Sequence, residues 1–166
     1  MEESETLRTL AEVAVALTGF TGIVAILGRR AGGEWSPLEL LRLRMLLETS
    51  LGVLFLSLLP VLFLTLRPSK ESLWCVSNLL QGVLHLGGAV LLYFRVSRLE
   101  PSQWPSEERW LTAVFAPLSL VIVTAQGGAA LGLFPGYESF VYLLGLIYLL
   151  ALAALHFVLL LVPSRQ

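Results

Sequence analysis

"FVYLLGLIYLLALAALHFVLLLV" runs from Phe140 to Val162 with no Asp, Glu, Lys or Arg and a single imidazole, His156. A hydrocarbon core about 30 Å thick takes roughly 20 apolar residues in helical form. In helical form this stretch is long enough to cross. No run of alternating polarity accompanies it, which argues against membrane strands. Working outward, four more stretches have the same character. They are about 10–27, ended by Gly28-Arg29-Arg30; 45–66, stopped before Pro68; 73–94, after "PSKE"; and 110–131, after "PSQWPSEE". Ser36-Pro37 reads as an N-cap followed by proline at the first helical position, so the second helix begins well before its apolar part. "GLFPGYES" between the last two runs has room only for a tight hairpin.

Composition agrees. Of 166 residues, 56% are hydrophobic and 14% charged, and the mean hydropathy is +0.80. Soluble domains carry about 25% charged residues, and a core this small could not hide so much apolar surface from water. The expectation is an all-α polytopic integral membrane protein, residues 1–166 forming a single transmembrane helical domain. Five transmembrane helices are expected, with four as the alternative. The leader "MEESETLR" holds three Glu and one Arg, which is not the positive leader of a cleaved signal peptide.

Orientation follows from basic residues. With five spans, one side receives Arg8, Arg67 and Lys70. The other receives Arg29, Arg30, Arg42, Arg44, Arg95, Arg98, Arg109 and Arg165. The positive-inside rule places the larger group in the cytoplasm, hence N-terminus out and C-terminus in, with the bacterial inner (plasma) membrane as the expected location. Trp35, Trp104 and Trp110 then form an inner aromatic belt, and Trp74, Tyr137 and Tyr142 an outer one. The inner arginines should attract anionic lipid headgroups.

Several functions are disfavoured. The near-neutral balance of 11 Lys+Arg against 12 Asp+Glu argues against nucleic acid. Cys75 is the single cysteine, so no internal disulfide forms and no multi-cysteine metal site exists. Two histidines and no Asp cannot build an ordinary zinc site, and Ser57 and Ser77 have no evident His–acid relay. No metal, cofactor or enzymatic activity is expected.

The third run contains the polar signal, "NLLQGVLH" from Asn78 to His85. At about 100° per residue, Trp74, Asn78, Gln81, His85 and Gly88 share one face, opposite Val76, Leu79, Val83 and Leu86. Polar side chains within a span turn toward other helices or toward water. Two readings follow: the stripe joins helices, or it lines a hydrated path. Glu12 of the first run and Gln126 of the fourth lie at similar depth, and an outer polar cluster of Glu12, Asn78, Gln81 and Gln126 is expected, with His85 the only titratable group on the stripe itself. Near the inner face Arg44 and Glu48 are spaced i,i+4 to pair, with His156 at comparable depth. Small residues mark close-packing faces: Gly19 and Gly22 on the first helix and Gly128 on the fourth. Pro117 should kink the fourth helix.

The leading functional expectation is a homo-oligomeric ion channel or pore-forming transport subunit, with the stripe lining a cation path and Glu12 at its outer mouth. The alternative is a non-transporting membrane scaffold or accessory subunit in which the stripe is interhelical packing. Partners under either reading are membrane lipid and further copies of the chain, with ions added under the first.

Overall fold

A computed structural model describes residues 2–30, 35–66, 68–98 and 106–161, without the side chains of 2, 27–30 and 106–110. Arg67, Trp104 and Arg165 lie outside the described residues, and the side chains of Arg29, Arg30, Arg109 and Trp110 are likewise undescribed. The described chain is all-helical: α1 (Glu2–Arg30), α2 (Pro37–Leu64), α3 (Lys70–Val96), α4 (Ser106–Ala130) and α5 (Glu138–Leu161). All five are long and apolar enough to cross a membrane. This is a polytopic α-helical membrane protein.

The helix ends follow local chemistry. At α2 the Ser36 N–H and hydroxyl both donate to Glu39 Oε2 at 2.8 Å, and the Glu39 N–H donates back to Ser36 Oγ at 3.3 Å. This capping box satisfies N–H groups that have no partner inside the helix, and it starts α2 eight residues before the apolar run at Met45. Ser69 caps α3 in the same manner, its Oγ accepting from the Ser72 N–H. α4 passes Pro117 without interruption. It ends in a Schellman motif: Gly132 takes φ 71°, its N–H donates to the Ala129 carbonyl, and the Leu133 N–H donates to that of Gly128. Gly136, at φ 85°, gives the second left-handed step before α5.

The chain divides into two compact units, 1–58 with 146–166, and 59–145. The first has an ordinary apolar core: Ala14 of α1, Leu46 and Val53 of α2, and Leu146 and Ala153 of α5 are all fully buried. Phe20 and Phe157 meet there, ring centroids 6.1 Å apart. In the second unit α3 and α4 pack side by side, joined by the first two turns of α5. Its core mixes apolar residues such as Leu73, Ile122 and Val141 with a polar set, and the candidate site lies in that set.

Candidate functional site

Three helices build the polar core of the second unit. α3 supplies Trp74, Ser77, Asn78, Gln81 and His85, all buried, with Asn78 and Gln81 at 0% exposure. α4 supplies Gln126, also at 0%, and the half-buried Ser119. α5 supplies Glu138, Tyr142 and Gly145 from its first two turns. The opposite face of α3 is outward: Val76, Leu79, Val83 and Leu86 are between 44% and 59% exposed. The polar stripe therefore faces its own unit and the apolar stripe faces away from it.

The hydrogen bonds join all three helices. Asn78 Nδ2 donates to the carbonyl of Trp74, one turn back, and to that of Glu138 on α5, both at 2.9 Å. Trp74 packs on Tyr142, ring centroids 5.6 Å apart. Farther along, His85 Nε2 and Ser119 Oγ share a hydrogen bond at 3.0 Å, with the Gln126 side chain beside His85. Gln81 and Gln126 come together at Gly145. A Cβ placed on Gly145 would collide with Gln126 Nε2 and stand 2.7 Å from Gln81 Nε2. At Gly82 on α3 a Cβ would make only ordinary contact with α4, 3.5 Å from Gln126 Cβ. Two carboxamides thus fit between three helices because Gly145 leaves room. Interhelical hydrogen bonds of this kind contribute roughly 0.6 kcal/mol each on average, modest singly and cumulative in a seam.

The Ser119–His85 pair has the spacing of a nucleophile and its base. Among the described residues no carboxylate acts on the imidazole, however, and the neighbouring Gln126 amide nitrogen is turned to Gly145. The arrangement joins α3 to α4 and lacks the third group that orients a base.

The other expected positions lie elsewhere. Glu12 is exposed on α1 in the first unit and pairs with Arg8 at 3.0 Å, the two side chains 65% and 81% exposed. Of the four residues expected to cluster, the second unit's core holds Asn78, Gln81 and Gln126. The stripe ends at His85, because Gly88 is exposed with open space where a Cβ would be. Arg44 and Glu48 pair at 2.7 Å on the surface of α2. His156 instead bonds the Leu152 carbonyl on its own helix through Nδ1, at 2.7 Å, and the charge acting on it is that of Arg42. Gly19 and Gly22 have nothing within 4 Å of a Cβ position, so no neighbour among the described residues closes on that face. Gly128 does make a close contact, but with the ring of Phe134 in the turn, 2.7 Å from a Cβ there. Among the described residues no group of three or more His, Cys or Glu could hold a metal.

Two participants escaped sequence reasoning. Arg42, counted there only as a topology charge, is 6% exposed and donates from Nη1 to the Leu159 carbonyl at 2.9 Å. It thereby closes one of the last-turn carbonyls of α5 with a cation, at the helix end that favours one. The second is the α5 set. Glu138, Tyr142 and Gly145 follow an i, i+4, i+7 spacing, which was the available signal inside an otherwise uniformly apolar run. Compared with protein-family models, curated proteins and solved structures, the chain matches none.

Proposed function

We propose that the chain is a non-transporting membrane scaffold or accessory subunit, with the "NLLQGVLH" stripe serving as interhelical packing. The observation that carries this is the complete burial of Asn78, Gln81 and Gln126 within one unit of one chain. A lining for ions needs side chains that water can reach. Asn78 instead bonds the Glu138 carbonyl, and Gln81 and Gln126 meet at the space kept by Gly145. The apolar remainder of α3 is the part turned outward, where lipid or a partner helix would meet it. On this reading the protein resides in the bacterial inner membrane with its N-terminus out and C-terminus in, its arginines against anionic headgroups.

The test has two arms, both on protein shown to be helical by circular dichroism. In liposomes, cation flux should equal that of protein-free vesicles at neutral and acidic pH. In a Cys75→Ser background, Gln81→Cys should resist a water-soluble thiol reagent. Flux that depends on Gln81, together with ready labelling at that position, would restore the channel reading.

A further inference from the structure

The seam contains a group of polar atoms whose hydrogen-bonding capacity is not used up inside the protein. Trp74 is 4% exposed, and its indole Nε1 is buried with no hydrogen-bond partner among the described residues. Asn78 Oδ1 is in the same condition in a residue of 0% exposure. Turning the Asn78 amide over does not help, because both N–H groups of Nδ2 are engaged by the Trp74 and Glu138 carbonyls. Glu138 itself is 7% exposed. Its Oε2 accepts from the Gly136 N–H, which leaves a carboxylate with acceptor positions to spare. Asn78 is bonded directly to the backbone of both other residues, which places the three residues at one junction of α3 and α5.

The tally of donors and acceptors selects the ligand. The site offers one donor, the indole N–H, and two acceptors, Asn78 Oδ1 and the Glu138 carboxylate. A metal cation or an ammonium group has nothing to accept the indole proton. A lipid or sugar hydroxyl has one proton for two acceptors. Water accepts once and donates twice, and buried waters make about three hydrogen bonds. We propose that Trp74, Asn78 and Glu138 bind a single internal water, which latches α3 to the first turn of α5. It accepts from the Trp74 indole and donates to Asn78 Oδ1 and to Glu138. The latch concerns the inside of the second unit, and it stands whether or not the chain carries ions.

The experiment is NMR on the full native chain in detergent micelles, with 15N-labelled tryptophan and the Trp74 indole signal assigned by its disappearance in Trp74→Phe. Magnetisation transfer between water and the Trp74 indole proton should be present, while exchange of that proton for deuterium is far slower than for an exposed indole. The transfer should survive Tyr142→Phe, which removes the hydroxyl of the ring packed on Trp74 as its source, and should be lost in folded Asn78→Val. Slow exchange with no transfer from water would show a dry site and overturn the proposal. Exchange as fast as an exposed indole would show bulk access and overturn it equally. So would loss of the transfer in Tyr142→Phe.

Discussion

Gly145→Ala adds one methyl group where the structure leaves none of the space it needs. The new Cβ would collide with Gln126 Nε2 and lie 2.7 and 3.0 Å from Nε2 and Cδ of Gln81. Long amides elsewhere could swing aside, but both are fully buried. Their retreat would have to open the α3–α4 packing or move Gln126 away from His85. Overpacking a filled interior costs about 1–3 kcal/mol. Alanine's better helix propensity offsets up to about 1 kcal/mol of that. The net expectation is a loss of about 1–2 kcal/mol, or roughly tenfold in the folded-to-unfolded ratio. Gly22→Ala is the matched control, since a Cβ there meets nothing within 4 Å. It should be neutral or slightly stabilising. The assay is reversible unfolding by sodium dodecyl sulfate from mixed micelles, followed by circular dichroism. A second arm shortens one amide: Gly145→Ala with Gln126→Asn should cost less than the sum of the single changes, because they relieve a shared clash. If Gly145→Ala is no less stable than Gly22→Ala, the three-helix seam is misplaced and the argument from it fails.

Other expectations follow from neighbouring contacts. Asn78→Leu removes one hydrogen bond within α3 and one from α3 to α5, and should cost about 1–2 kcal/mol in the same assay. Arg42→Met should expose the Leu159 carbonyl and cost about 1–3 kcal/mol, with faster hydrogen exchange confined to the last turns of α5. Arg44→Met, which breaks only the exposed pair with Glu48, should stay within about 0.5 kcal/mol of the parent. A reporter fused after Gln166 should read cytoplasmic and one before Met1 external. Both on one side would mean an even number of crossings and contradict five spans.

The membrane class and the five helices were legible in the sequence for a simple reason. In lipid, backbone groups must be satisfied within the helix, so apolar length alone nearly decides the element. Ser36, Pro37 and Glu39 announced the start of α2 by local chemistry, and the alternation of Asn78, Gln81 and His85 against Val76, Leu79, Val83 and Leu86 marked the two faces of α3. Local rules of this sort act over one or two turns, within reach of a single stretch of sequence. What the polar face meets is a different kind of fact. Whether Gln81 touches water or Gln126 depends on residues 45 positions apart, and on Gly145 a further 19 away leaving room for both. Arg42 shows the same limit. Its charge is visible in sequence, but its burial depends on a carbonyl 117 residues later. Polarity along a helix specifies that a partner is required, because an unpaired polar group is costly in an apolar medium. Only the packing of the helices decides which partner satisfies it.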